Sequence, residues 1–334
     1  MMDVSIVILN FNGESLLRQF LPSVVKHSGE ATIYVADNGS TDQSVALLEH
    51  EFPTVRTIKF STNYGFCKGY NEALNRVRSD LYILLNSDVE VTGGWLSPII
   101  RLFEGNADID AVQPKIRSGR EPGKFEYAGA GGGFIDSLGY PFCRGRIFNR
   151  IESDRGQYDD ECEVFWASGA CMAIKADAFL RLGGFDEDFF AHMEEIDLCW
   201  KIQRSGKKVF YTGRSIVYHL GAGTLTYNHP RKTYLNFRNN LSMLIKHLNS
   251  GELIVKIPVR LVLDWLAAFI FVLKGDPSNA LAVLKAHGAV LSLLGNNLHK
   301  RKALRRKYPR YPKRNIYPGL ILLKYYFKRN RSND

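Results

Sequence analysis

The sequence predicts an α/β protein, a doubly wound, mostly parallel, Rossmann-like sheet followed by a helical C-terminal extension. Three observations carry this. Strand-like and helix-like segments alternate through the first half, Leu81–Leu85 is apolar at every position, and a helical pattern runs from Asn236 onward. A βαβα order implies parallel strands with helices packed on the sheet, and strands buried on both faces read as unbroken apolar runs.

Taken in order, Val4–Leu9 reads as the first strand. Ser15–Lys26 reads as a helix, because Leu16, Leu17, Phe20, Leu21, Val24 and Val25 recur at helical spacing. Thr32–Ala36 is a second strand, Asp42–Phe52 a helix, Val55–Phe60 a strand, Gly69–Val77 a helix and Leu81–Leu85 a fourth strand. Residues 114–165, rich in Gly, Arg and aromatics, have weak periodicity and read as loops and short strands. A helix returns at Glu195–Arg204, and Val209–Tyr211 and Ile216–Tyr218 read as strands. The reading gives a catalytic domain over 1–235 and a helical, basic region over 236–334.

With 334 residues, 45% of them hydrophobic and 23% charged, the chain can bury a substantial core and is not of disordered composition. Its net charge of +10 is unevenly placed: residues 246–334 hold 18 Lys/Arg against four acids, a net of +14, so the remainder is mildly acidic. Five cysteines with no CxxC pair suit a reduced compartment. Val4–Leu9 is too short for a leader core, and no stretch reaches the roughly 18 clean apolar residues of a spanning helix. The location expected is therefore cytoplasmic.

Ligands of open α/β sheets bind outside the carboxyl ends of the strands. There the chain places Asn10-Phe11-Asn12-Gly13, Asp37-Asn38-Gly39-Ser40 and Asn86-Ser87-Asp88. The second run can accept hydrogen bonds from a base or ribose, and it is equally plain turn and helix-cap chemistry. An acid ending a buried strand, as Asp88 does, suits a hard divalent cation on a diphosphate; it also suits an ordinary polar turn. Asp108-Ile109-Asp110 and Asp186-Glu187-Asp188 have the same letters, but the first lies in an apparent surface loop and the second in a loop near the site. Context selects Asp88. Glu194-Glu195-Ile196-Asp197 opens a helix, where a dipole-favoured acidic cluster and a general base are both possible. His219 follows a strand and gains interest only because the other candidates converge on the same sheet edge. Gly129-Ala130-Gly131-Gly132-Gly133-Phe134 misses the dinucleotide pattern at Phe134, and the sequence has no Walker A or H-E-x-x-H motif.

As an ordered set over about residues 3–225, these pieces resemble glycosyltransferase family 2, inverting enzymes of GT-A fold. The set also includes Asn63-Tyr64-Gly65-Phe66 through Asn71, Ala167-Ser168-Gly169-Ala170-Cys171 and Gly183-Gly184-Phe185-Asp186-Glu187. The chain looks most like bacterial rhamnosyltransferase-like and galactofuranosyltransferase-like members. The resemblance implies a nucleotide-diphosphate donor, with a UDP- or dTDP-sugar read through Asp37. Asn10, Asn12, Asn38, Asn63, Gly65, Phe66, Asn71, Asn86 and Ser87 would complete the donor site. It implies Mg2+ or Mn2+ on Asp88 and His219, and an acceptor pocket beginning at Trp166 with Gly169 and Ala170. Glu195 would be the base, with Glu194 and Asp197 as alternatives. Two departures stand out: Asn86 replaces the first acid of the family's D-x-D, and Glu195 replaces the Asp of its Glu-Asp pair. A nucleotidyltransferase is the rival enzyme, but the first-strand loop lacks the basic residues it needs; an inactive nucleotide-sugar-binding scaffold is the rival outside enzymes.

The C-terminal region suggests membrane contact. The apolar run Leu253–Leu273 is interrupted by Lys256, Arg260 and Asp264, which reads as an interfacial or packed helix in preference to a single span. His299–Arg314 carries nine Lys/Arg beside Tyr308 and Tyr311, a composition that suits anionic headgroups, with a solvated tail as the alternative. No nucleic-acid motif accompanies the charge, so no nucleic-acid partner is expected. The implied acceptor is a saccharide or lipid-linked saccharide of cell-surface polysaccharide synthesis, met on the inner membrane face. A homo-oligomer is the other use such a tail can have.

Overall fold

The computed structural model describes residues 2–221, 229–311 and 314–327. Strand β1 (Val4–Asn10), helix α1 (Glu14–His27), β2 (Thr32–Asp37), α2 (Ser44–Glu51), β3 (Arg56–Lys59), α3 (Gly65–Leu74) and β4 (Leu81–Asn86) alternate as expected. The strands pair in parallel in the order β3-β2-β1-β4. Helix α3 starts earlier than predicted, and the Asn63 side chain accepts the Gly65 N–H of its first turn at 2.8 Å.

After β5 (Val89–Val91) and α4 (Leu96–Gly105) comes β6 (Ile109–Ser118), a long buried strand where loop was expected. Asp110 lies within it, buried and 3.0 Å from Arg181, so Asp108-Ile109-Asp110 begins a strand and is not a surface loop. Periodicity failed here because β6 buries polar side chains that have partners elsewhere. Gln113 accepts the Ser168 N–H at 2.8 Å, and Lys115 pairs with Asp154 and Asp159.

Strands β7 (Gly133–Asp136), β8 (Pro141–Cys143), β9 (Arg146–Ile147) and β10 (Arg150–Ile151) form a small second sheet. Next come β11 (Glu161–Val164), β12 (Cys171–Lys175), α5 (Ala176–Arg181), α6 (Glu194–Arg204) and β13 (Lys208–His219). Beyond β4 the large sheet continues β12-β6-β13-β11, with β12 and β11 antiparallel to their neighbours. Strand β13 is continuous where two strands were predicted, because it bulges between Thr212 and Ile216. Only glycine fits at Gly213, against the backbone of Tyr158 and Asp159. The carboxyl ends of β1, β2, β4, β6 and β13 share one edge. Alternation sends Ile6, Ile8, Ile83 and Leu85 to a core under α1, α2 and α4, and Val7, Tyr82 and Leu84 to a core under α3, α5, α6 and α7 (Pro230–His247).

Helices α8 (Ser250–Leu273), α9 (Pro277–Ser292) and α10 (Leu294–Lys307) follow, then β14 (Ile316–Tyr317) and α11 (Ile321–Phe327). This region is stitched back to the sheets: β14 extends the small sheet alongside β7, and the Ile321 N–H donates to Asp136 at 3.0 Å. A buried ion network joins α6, α7 and α10. Asp197 contacts Lys246 at 2.7 Å, His247 at 2.9 Å and Lys201 at 3.2 Å, while Lys246 and Lys300 both reach Asp186. Part of the basic run faces inward: Arg301 is buried and Lys300 and Arg305 are half-buried, while Lys302, Arg306, Lys307 and Arg310 are exposed. Arg301 donates to the Ile245 and Leu248 carbonyls, Arg305 to that of Leu248 and Lys307 to that of Arg181. Pro312 and Lys313 of that run lie outside the described residues.

Breaking one partner of a buried pair leaves an uncompensated charge. Lys246→Met exposes two buried carboxylates to that cost and is expected to destabilise by about 3–5 kcal/mol. Lys59→Met, at an exposed pair, is expected to cost at most about 1 kcal/mol. Urea unfolding midpoints of the two variants check the contrast.

Candidate active site

Asn10, ending β1, and Asp37, ending β2, meet at the shared edge. The Asn10 amide donates to Asp37 Oδ2 at 3.2 Å, and the Ser40 N–H donates to Asp37 Oδ1 at 3.0 Å. These bonds use part of the carboxylate's acceptor capacity and fix its orientation. The Asn10 Oδ1 is buried with no hydrogen-bond donor among the described residues. Asn12, at φ 50°, accepts the Thr41 N–H at 2.7 Å and so locks the two loops together. Asn38 and Asn63 serve the next loop: Asn38 donates to Asn63 Oδ1 and to the Gly65 carbonyl, both at 3.0 Å, and accepts the Tyr64 N–H. Asn71 stands further off and ties α3 to the Phe185 backbone by two bonds of 2.9 Å.

Asp88 follows β4 and His219 ends β13. The Nε2 of His219 lies 3.1 Å from Asp88 Oδ1, and its Nδ1 lies 3.4 Å from Glu126 Oε2. Burial opposes charge on this ring, but hydrogen bonds to Asp88 and Glu126 outweigh it and raise the pKa to about 10. Among the described residues, no group of three or more His, Cys, Asp or Glu is arranged as a metal cage. The Asp88 carboxylate and the His219 imidazole, once a metal ion displaces its proton, are nonetheless a suitable donor set for Mg2+ or Mn2+, with phosphate oxygens and water filling the other positions. Glu126, absent from the sequence-based site, lies in the weakly periodic stretch and carries no local signal. Asn86 and Ser87 are half-buried beside Asp88.

The third component is the start of α6. Phe190, His192 and Met193 all have positive φ, at 64°, 69° and 71°, in the loop leading into Glu194. Such geometry costs on the order of 1–3 kcal/mol per residue and persists only when neighbours enforce it. Asn239 of α7 enforces it by donating to the Phe189, Ala191 and His192 carbonyls at 3.0, 2.8 and 2.8 Å. Arg238 donates to the Asp188 and Phe189 carbonyls, and the Phe190 carbonyl accepts from Phe66 and Cys67. Asn239 escaped sequence reasoning because its partners lie far away in the chain.

The three acids of this turn have separate environments. Burial, and next to it the charge of Glu195, holds Glu194 well above the usual carboxylate range. Burial pushes half-buried Glu195 up to about 7. Asp197 is wholly buried, which disfavours charge, but Lys246, Lys201 and His247 hold it well below the usual range. Gly169 faces the ring of Phe66 and the Glu194 carboxyl, and the next residue, Ala170, accepts the Asn86 N–H at 3.0 Å. One short segment thus links the Asp88 side to the glutamates. Trp166 is buried, donates to the Phe134 carbonyl at 2.9 Å and packs over Gly133 in the small sheet.

This arrangement has relatives. The family model described as Glycosyl transferase family 2 matches residues 5–183. The N-acetylglucosaminyl-diphospho-decaprenol L-rhamnosyltransferase of Mycobacterium tuberculosis is 26% identical over 262 residues, covering 69% of this chain and 82% of its own. Rhamnosyltransferase WbbL of Escherichia coli is 22% identical over 213 residues, covering 62% of this chain and 80% of its own. In structure the chain is similar to GalNAc-T7 with UDP, GalNAc and Mn2+, at TM-score 0.57 and 17% identity over 75% of this chain and 49% of that one. It is also similar to the mannosyltransferase PcManGT of Pyrobaculum calidifontis with GDP-Man and Mn2+, at TM-score 0.53 and 13% identity over 92% and 85%. The parallel sheet, the polar strand ends at its carboxyl edge and the matching family model agree: the fold is GT-A, and the chain belongs to glycosyl transferase family 2.

Proposed function

We propose that this glycosyltransferase works by inversion, moving a hexosyl or rhamnosyl unit from a UDP- or dTDP-sugar to a saccharide or lipid-linked saccharide acceptor of cell-surface polysaccharide. The observation that carries the reading is the pairing of unlike groups along one crevice edge. Asp88 and His219 lie on the leaving-group side, and a partly exposed Glu195 of raised pKa lies across the 169–170 segment. The rhamnosyltransferase relatives support the sugar and acceptor class.

In this reading Asp37 and the Asn10 amide receive the pyrimidine nucleoside. Mg2+ or Mn2+, held by Asp88 and His219, would offset charge on the departing diphosphate. Glu195 takes the proton of the acceptor hydroxyl as that oxygen bonds to the anomeric carbon. The bond from that carbon to the phosphate oxygen breaks, and the nucleoside diphosphate leaves with the electron pair. Glu194, buried and with its proton affinity raised by burial, lines the turn. Asp197 is committed to Lys246, Lys201 and the His247 ring and serves as the lysines' counter-ion, not as the base.

Five outcomes test this. UDP or dTDP should raise the melting temperature more than GDP or ADP in a thermal-shift measurement; equal shifts from all four would remove Asp37 from base reading. Asp88→Ala should abolish donor turnover at micromolar Mn2+. Glu195→Gln should stop transfer with nucleotide shifts intact. Because the active form of Glu195 is deprotonated, transfer by the native protein should rise with pH through about 7 and then level. Asn239→Ala should lower kcat by about tenfold or more through a loosened base loop. It should also move that pH limb, which a purely structural loss would leave in place, and spare the nucleotide-induced shift.

A further inference from the structure

We infer that the outward face of α8, continued by α9, is the surface by which this protein lies on an anionic membrane. The polarity of α8 is inverted relative to a soluble surface helix. Its interior-facing side carries the charges: Arg260 is buried and donates to the Leu138 carbonyl at 2.9 Å and Asn240 Oδ1 at 2.6 Å. Asp264, also buried, accepts from Tyr140 at 3.4 Å and lies 3.3 Å from His287 of α9. Its solvent side is apolar from end to end. Val255, Val259, Val262, Leu266, Phe269 and Leu273 recur at three- and four-residue intervals and are between 42% and 70% exposed. Together with the exposed residues beside them they present on the order of 1,000 Å² of largely apolar surface, where the largest patch of a soluble monomer is roughly 300–600 Å². Leu281, Leu284 and Leu291 of α9 are exposed as well.

The charge around the patch selects its occupant. Lys274 at the end of α8 and Lys285 on α9 are exposed, within a region of net +14. An anionic bilayer complements both the hydrocarbon-like face and these cations. A second copy placed face to face would cover the apolar surface but offer these cations no counter-charge of its own. Among the described residues, no single helix is long and apolar enough to cross a membrane. Since α8 packs on α7 and α9 through its charged side, it would lie in the interface plane. This placement concerns α8 and does not depend on the donor and base assignments; the proposed lipid-linked acceptor supplies only its use.

Trp265 makes the test direct. It stands on the exposed face at 55%, while Trp95, Trp166 and Trp200 are buried. The full chain is mixed with vesicles of phosphatidylcholine containing phosphatidylglycerol, and with phosphatidylcholine alone. Expected are co-sedimentation with the anionic vesicles, a blue shift of Trp emission and quenching by brominated acyl chains; Trp265→Phe should lose the two optical signals and keep co-sedimentation. Val262→Glu with Phe269→Glu should weaken partitioning by about tenfold or more, while Leu180→Glu, at an exposed leucine on α5, should not. Nucleotide-induced thermal shifts should be the same in all variants, which separates failure of this inference from failure of the catalytic reading. The inference is overturned by vesicle binding without quenching of Trp265, or by binding that the glutamates do not weaken. It is equally overturned by a dimer that the glutamates dissociate in the absence of any vesicle binding.

Discussion

Two lysine ammonium groups and the His247 ring converge on the Asp197 carboxylate at 0% exposure, and the architecture of the crevice follows from that convergence. Lys246 bridges Asp197 to Asp186, and Lys300 bridges Asp186 to Asp188, so one chain of alternating charges runs from α6 through α7 to α10. A carboxylate removed from water is tolerated only with such compensation. The same contact fixes α7 at the height where Asn239 meets the loop before Glu194. Tertiary electrostatics therefore hold the strained turn, and the strained turn aims the glutamates.

Within four residues the helix start holds acids in opposite conditions. The dipole of α6 favours all of them as anions, yet only Asp197 has cations beside it. Glu194 and Glu195 meet burial without compensation, and their proton affinity rises. Divergent environments for neighbouring carboxyl groups are the usual means by which one site holds both a proton acceptor and a fixed counter-ion.

The sequence was most legible where local and global patterns agree. Strands β1, β2 and β4 announce themselves by apolar runs, and their polar ends by abrupt changes in character. Strand β6 was missed because Lys115 and Gln113 interrupt its pattern, their partners Asp154 and Ser168 lying 39 and 55 residues away. The same distance effect concealed Glu126 and Asn239. Charge counted along His299–Arg314 was only partly informative, because a linear count does not say which side of a helix a residue occupies. Arg301 and Lys300 turned inward to carbonyls and carboxylates, and the apolar side chains of α8 turned outward instead.

The pairing of β14 with β7 joins segments far apart in the chain, and the neighbouring bond from Ile321 to Asp136 spans 185 residues. A polypeptide emerging from the ribosome cannot complete the small sheet until nearly everything described here has been made. The outward-facing apolar helix appears before that final strand. For an interval during synthesis the chain therefore presents an adhesive hairpin beside an unfinished sheet, the kind of intermediate prone to wrong association. A lipid surface reached during that interval would act as a folding template as well as a workplace.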